Sequence, residues 1–402
     1  VTTIRSIVES HEHELVALRR LLHAQPEPSG AEYATTEVIV ERLSVEGLRP
    51  IVFAMGTGVM CDISLDPERA PDPSSMRTVA LRADIDGLAM DDLTGAPYRS
   101  RTPGIAHACG HDVHTAVVLG AGLALLESRR SHPRDAVVRL IFEPAEEAVP
   151  GGAVGVIDEG GLAHVRSIFG VHCDPKLDVG TLGIRTGPLT SAADQFELTL
   201  SGPGGHTARP RQTVDLVRWT ARVVERLWDE VQARLDSPVT LVFGAVHAGA
   251  AANVIPATAT LRGSFRTADR PTWAAGERVI RETLTELLAS SDIGQAPQWH
   301  LDYTMGLPPV VNDAGTTELV HREVMREFGP QAVAETPQSM GGDSFAWYTE
   351  QVPGTYVRLG THDPSSGADR QDLHSATFDV DERAIGIGAR LLAACALAAL
   401  DS

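Results

Sequence analysis

Lysine is all but missing from this sequence. Of the 34 basic residues among 402 only Lys176 is a lysine, and 53 acidic residues leave a formal net charge of −19. A surface of that sign repels polyanions, which argues against nucleic acid or an anionic membrane as a partner. The arginine and alanine bias reads as the base composition of a GC-rich genome. Cysteine is also sparse. Cys61, Cys109, Cys173 and Cys395 are too few and too scattered for a disulfide scaffold, so a reduced cytoplasm is the expected setting. Long apolar runs are lacking too: the most apolar stretch, Leu391 to Leu400, is too short to span a bilayer and reads as a packed terminal helix. Residues 1–24 are charged throughout, unlike a secretion signal. The length exceeds one compact core, and two domains are expected.

What the sequence does have is concentrated chemistry. His107-Ala108-Cys109-Gly110-His111-Asp112-Val113-His114 packs three histidines, a cysteine and an aspartate into eight residues, then runs into an apolar helical pattern. Cys109 and His111 can reach one ion if the backbone turns between them, and Gly110 permits that turn. Thiolate with imidazole suits Zn²⁺ or a similar first-row ion.

Taken in order, residues 4–24 and about 31–47 show helical periodicity. β-Rich runs follow at Val59 to Leu65 and at Val79 to Leu81, which leads into Arg82-Ala83-Asp84-Ile85-Asp86. The Cys-His stretch opens a helix to about Arg129. Val137 to Phe142 is a buried-strand run ending in Glu143-Pro144-Ala145-Glu146-Glu147, and Ile168 to Val171 is another, ending in His172-Cys173-Asp174. Alternating strands and helices predict an α/β layer with a mostly parallel sheet flanked by helices. Sites in such sheets form beyond the carboxyl ends of strands, where Asp84, Glu146, Glu147 and His172 are expected. From Gly187 the pattern changes to alternating strands around two amphipathic helices, Thr213 to Leu235 and Pro271 to Ser290. The order β-α-β-β-α-β is the ferredoxin-like unit. The expected domains are therefore 1–186 with 301–402, and an insert at 187–300.

Each candidate has a plain alternative. Glu146 and Glu147 could be a solvated helix start, since acids favour helix N-termini. Beside a metal, one could ligate while the other takes a proton from water. His172 could be a core histidine. Strand neighbours point to opposite faces, so only one of His172 and Cys173 can face the site, and His172 is expected to. His374, in Asp372-Leu373-His374-Ser375, could complete the coordination sphere.

At this point the sequence resembles the M20 family of metallopeptidases, in its amidohydrolase branch of hippurate hydrolases, aminoacylases and auxin-conjugate hydrolases. The resemblance rests on Leu81 to Asp86, His107 to Ala116, Phe142 to Glu147, Phe169 to His172, Gly204-Gly205-His206-Thr207, Asn253-Val254-Ile255-Pro256, Gly263 to Thr267 and Leu22 to Glu27. It implies a two-metal hydrolase with an inserted lid and dimerisation domain, hence a homodimer. On that resemblance Cys109, His111, Glu147, His172 and His374 hold two divalent ions and Glu146 is the general base. His206 reaches the neighbouring subunit's active site, and Asn253 and Arg266 hold the substrate carboxylate. Asp84 and Asp112 fall in family motifs and are read as residues that orient ligands. Two departures stand out. Asp343-Ser344 replaces the usual Glu-Asp before a phenylalanine, and Arg211 replaces a usual histidine; both bear on how the pocket is lined.

The expected reaction is hydrolysis of an N-acyl amino acid by metal-activated water. Cys109 tilts the metal toward Zn²⁺, with Mn²⁺, Co²⁺ and Ni²⁺ as alternatives. Three rivals stay open: a dipeptidase or N-acetyldiaminopimelate-type deacetylase, a thiol hydrolase with Cys109 as nucleophile, and a non-catalytic metal-binding protein.

Overall fold

The computed structural model describes residues 3–290, 292–367 and 369–401. The chain divides into two compact units, one of Val1–Leu189, Val310–Pro337 and Asp343–Ser402, the other of Thr190–Pro309 with Gln338–Gly342.

In the first unit, the strongest β-formers make four adjacent parallel strands, in the order Ala136–Glu143, Arg77–Asp84, Val165–Asp178 and Gly354–His362. Shorter strands extend both sides: Ile51–Val52 and Val59–Ser64 beyond the first, Leu182–Ile184 and Val333–Glu335 beyond the last. Antiparallel pairing joins these flanks to the central four. The result is a mixed, mostly parallel sheet in an α/β fold, as the sequence pattern predicts. Residues along each central strand alternate between two cores. Val79, Leu81, Leu140, Phe169 and Val357 join the core that includes residues of the helices His111–Ser128 and Arg383–Asp401. Ala80, Ile141, Ile168 and Tyr356 join a second core with residues of the helices Ala153–Asp158 and Phe345–Thr349. Burial on both faces explains why these strands read as continuous apolar runs.

Helix His111–Ser128 is buried at nearly every position, and a Cβ added at Gly120 would lie 2.7 Å from Leu15 Cδ1. Helix Arg383–Asp401 is the one helix among the described residues long and apolar enough to match a membrane span, and 61% of that window is buried. It takes in the apolar stretch 391–400, and its Ala384, Ile385, Leu391 and Leu392 join the core shared with helix His111–Ser128.

In the second unit, four strands lie in the order Val239–Ala248, Thr258–Thr267, Ala192–Ser201, Gln298–Leu307, every neighbour antiparallel. Helices Leu216–Gln232 and Arg270–Ala289 supply Trp219, Val223, Leu227, Ile280 and Leu284 to the core of this sheet. The side chains of Asp215 and Asp269 cap the two helices by accepting from Arg218 and Thr272 N–H, so the first begins later than Thr213. A separate two-stranded ribbon pairs Gly205–His206 with Val254–Ile255.

Two features differ from expectation. Strand Val165–Asp178 does not stop at Val171, because parallel pairing with Gly354–His362 carries it through His172, Cys173 and Asp174 despite their polarity. His172 therefore lies inside a strand. Residues 301–309 and 338–342, expected in one domain with 1–186, cluster with the second unit: strand Gln298–Leu307 keeps pairing past residue 300, the Gln338 amide donates to the Thr190 and Ala268 carbonyls, and the Ser191 hydroxyl donates to the Ser339 carbonyl.

Candidate metal and active centre

Gly110 precedes helix His111–Ser128 with φ of 86°, a left-handed conformation that favours glycine. A Cβ there would lie 2.7 Å from Cys173 Sγ, so the turn also needs the small residue. This turn sets Cys109 and His111 beside the strand that carries His172, and Cys109 Sγ lies 3.6 Å from His172 Nε2. His172 Nδ1 is 2.7 Å from the Cys173 carbonyl, to which it donates, leaving Nε2 with a free lone pair. The Cys173 thiol lies toward Gly110, with Sγ 3.9 Å from its carbonyl oxygen.

His111 is fixed in the same manner. Its Nδ1 lies 3.0 Å from the Asp86 carbonyl and 3.1 Å from Asp86 Oδ1, so the proton sits there. Its Nε2 has no hydrogen-bond partner although buried, and lies 3.7, 3.9 and 3.8 Å from carboxylate oxygens of Asp84, Glu146 and Glu147. Glu147 Oε1 is buried and also lacks a hydrogen bond, with His374 Nε2 at 3.4 Å. Orphaned buried lone pairs facing one another cost free energy unless something sits between them. Two donor groups share Cys109: Cys109, His111 and His172 in one, Cys109, Glu147 and His374 in the other. One thiol, three imidazoles with two tautomers fixed, and a carboxylate fit a pair of divalent cations.

Glu146 accepts from Ser344 N–H at 3.1 Å. Burial pushes its carboxyl well above the usual carboxylate range, with Asp343 and Glu147 adding to this and His111 opposing. That direction suits a general base working near neutrality. Burial likewise pushes the Cys109 thiol well up, and Glu147 reinforces it. Burial holds His172 well below its ordinary value, with Arg358 adding, so it stays neutral as a ligand must.

Neither of the two aspartates expected to orient ligands hydrogen-bonds a candidate ligand directly. Asp84 takes His114 Nδ1 at 2.6 Å and Arg82 at 2.6 Å; His111 Nε2 is its more distant neighbour. His114 Nε2 in turn accepts from Cys173 N–H at 2.8 Å, so both nitrogens of His114 are committed. Asp112 takes no candidate ligand as partner. Its Oδ2 is held by Arg19 at 2.7 Å and His23 at 2.8 Å, because the helix start turns this side chain away from its neighbour His111. The residue sequence reasoning passed over is Asp86, which holds His111. Its signal was the spacing of two from Asp84, which places both on one side of an extended segment.

The departure at Ser344 also lands here. Ser344 is fully buried, donates to Glu143 Oε1 at 2.6 Å and accepts from Arg82 at 2.9 Å, while Arg82 also pairs with Glu143 and Asp84. It belongs to the support behind Glu146. His206, Asn253 and Arg266 lie in the second unit. His206 is exposed, its Nδ1 accepts from Ala208 N–H at 3.1 Å, and it pairs in register with Val254, next to exposed Asn253. Arg266, half-buried, donates to the Met340 carbonyl at 2.6 Å. Arg211 is exposed in a short 3₁₀ turn.

Comparison with known proteins places these features. The N-acetyl-L-cysteine deacetylase of Bacillus subtilis is 35% identical over 376 residues, covering 93% of this chain and 85% of the relative. A Rhodococcus jostii protein named for glutamate–cysteine ligase is 42% identical over 388 residues, which is 96% of this chain but 47% of that protein, so the chain spans about half its length. A dinuclear metal binding peptidase of the M20 family from B. subtilis superimposes with a TM-score of 0.82 at 30% identity, covering 98% of this chain and 99% of the other. Residues 80–398 match the profile of peptidase family M20/M25/M40. On these grounds the chain belongs to peptidase family M20/M25/M40 and is a hydrolase of amide or peptide C–N bonds.

Proposed function

We propose that the chain hydrolyses the amide bond of N-acyl amino acids, releasing a carboxylic acid and a free amino acid. The observation that carries this reading is buried Glu146 with half-buried Glu147 against the unpartnered Nε2 of His111. One carboxylate is then available to hold an ion and the other to move a proton. Cys109, His111, Glu147, His172 and His374 would hold two divalent cations, Zn²⁺ first among Mn²⁺, Co²⁺ and Ni²⁺. When bound, these supply Lewis acidity that lowers the pKa of water and polarises the scissile carbonyl. Glu146 takes the proton of the attacking water as the new C–O bond forms, then returns it to the leaving nitrogen as the C–N bond breaks. Arg266 presents a guanidinium fork to the substrate carboxylate, and Asn253 is assigned to the same carboxylate end. His206, from a second copy of the chain, donates to the developing oxyanion.

The homodimer this requires has a surface available. Strand Val239–Ala248 is an edge strand with Val242 and Val246 exposed, and helix Leu216–Gln232 exposes Val217, Val224 and Trp228. Unpaired edges and apolar patches invite partners. Four free, buried cysteines fit a reducing cytoplasm.

Among N-acyl amino acids, N-acetylcysteine is the first to test. Two B. subtilis relatives, 35% and 34% identical, are named for its deacetylation, and the Rhodococcus relative is named for a ligase that uses cysteine. The second reading is a dipeptidase or N-acetyldiaminopimelate-type deacetylase with the same centre. The deciding experiment measures amine release from acetyl-, benzoyl-, long-chain-acyl and indole-acetyl amino acids, N-acetyldiaminopimelate and dipeptides, with each of the four metals. Preferred turnover of acyl amino acids supports the proposal; turnover confined to dipeptides or N-acetyldiaminopimelate replaces it with the second reading.

A further inference from the structure

Three of the five candidate ligands stand on two arms that are far apart in sequence. Residues 107–112 carry Cys109 and His111, and residues 372–382 carry His374. The arms meet where His374 N–H donates to the Ala108 carbonyl at 2.8 Å. That contact alone has much to hold, because His374 sits at φ of 61°, a left-handed conformation that a non-glycine residue keeps only when its surroundings enforce it.

Behind the arms lies Arg19, on the N-terminal helix, fully buried. Its Nε donates to Asp112 at 2.7 Å, on the first arm beside His111. Its NH2 donates to Asp379 at 2.9 Å, and its NH1 to Glu382 at 3.3 Å, both on the second arm. Tyr98 braces the same place: its hydroxyl donates to the other Asp379 oxygen at 2.8 Å, and the guanidinium lies 4.8 Å from its ring centroid. A guanidinium spreads its donors in a rigid fork, so one side chain can fix two carboxylates at a set angle; an ammonium is a point charge and cannot.

We infer that Arg19 is a positioning residue that locks the two ligand-bearing arms together and thereby sets the affinity of the ion held by Cys109, Glu147 and His374. It touches neither metal nor substrate. The ion held by Cys109, His111 and His172 depends on it less, since Asp86 and the Cys173 carbonyl fix the two histidines independently. This inference rests on the two-ion reading above.

The test is a Zn²⁺ titration of the full chain against a chromophoric chelator, giving the number of ions and each affinity. Wild type is compared with Arg19→Lys, which keeps the buried charge, and with Asp379→Ala, which cuts only the second arm. We expect two ions in wild type and, in both variants, one ion unchanged and the other weakened roughly 10- to 100-fold, the usual cost of losing support behind a ligand. Tyr98→Phe should shift the same ion by less. Two ions at wild-type affinity in both variants, or both ions weakened in step with a lowered melting temperature of the metal-free chain, overturns the inference and makes Arg19 a fold residue only. Failure of wild type itself to bind two ions overturns the two-ion reading, and the inference with it.

Discussion

The candidate residues of the two units are held in opposite ways. In the first unit, the nitrogens of His111 and His172 that face away from the centre are each occupied, by Asp86 and by the Cys173 carbonyl, and Glu146 is tied to Ser344 N–H. In the second unit, His206 and Asn253 stand exposed on a two-stranded ribbon, with local backbone contacts. The difference teaches that the groups proposed to hold metal and move a proton are preorganised within the first unit, where burial makes misplacement expensive. Of the groups proposed for the substrate, Arg266 is held by the Met340 carbonyl, while His206 and Asn253 stand exposed.

The largest effect expected from breaking this contrast is at Glu146. Glu146→Gln keeps the shape and the Ser344 contact but removes the proton acceptor, so kcat should fall about 10²–10⁴-fold, roughly 3–5 kcal/mol of barrier, with bound metal unchanged. Turnover near wild type at full metal content would remove Glu146 from the mechanism. Next comes His206→Ala, with an expected loss of about 10²–10³-fold and no change in metal. Co-expressed heterodimers of Glu146→Gln and His206→Ala chains should regain part of the activity, since one of their two centres has both groups intact. No recovery would place His206 within its own subunit or outside the reaction.

Asp86→Asn sharpens the contrast from the other side. Without its carboxylate the His111 tautomer is less firmly held, and metal affinity should drop about 10- to 100-fold by chelator competition. The smallest effect is expected at Cys173→Ala. Its thiol lies toward Gly110, so elemental analysis should find the metal content of wild type; a loss there would mean that Cys173 and His172 must exchange roles.

Sequence pattern reached the parts of this protein that repeat. The parallel layer was legible because strands buried on both faces read as apolar runs, and the βαββαβ order because its strands alternate strictly. Alternation also separates His172 from Cys173. What it missed depends on distant partners. Nothing local to Val171 signals that strand Val165–Asp178 continues through three polar residues, because Gly354–His362, far along the chain, supplies the pairing. Asp84 and Asp86 look equivalent in sequence, and only the position of His114 and His111 above them assigns one to each. Asp112 reads as a neighbour of the centre, yet its partner Arg19 lies 93 residues away. Ser344 reads as a change in the pocket lining, while its buried bonds to Arg82 and Glu143 put it behind Glu146.

The two-metal hydrolysis of N-acyl amino acids proposed for this chain is open to a direct test. The most direct measurement strips the protein with a chelator, then adds Zn²⁺ in steps while following free amino acid released from an N-acyl amino acid. The account predicts no turnover in the stripped chain and a rise that levels at two ions per chain. Turnover that survives complete metal removal would contradict it and return Cys109 to consideration as the nucleophile.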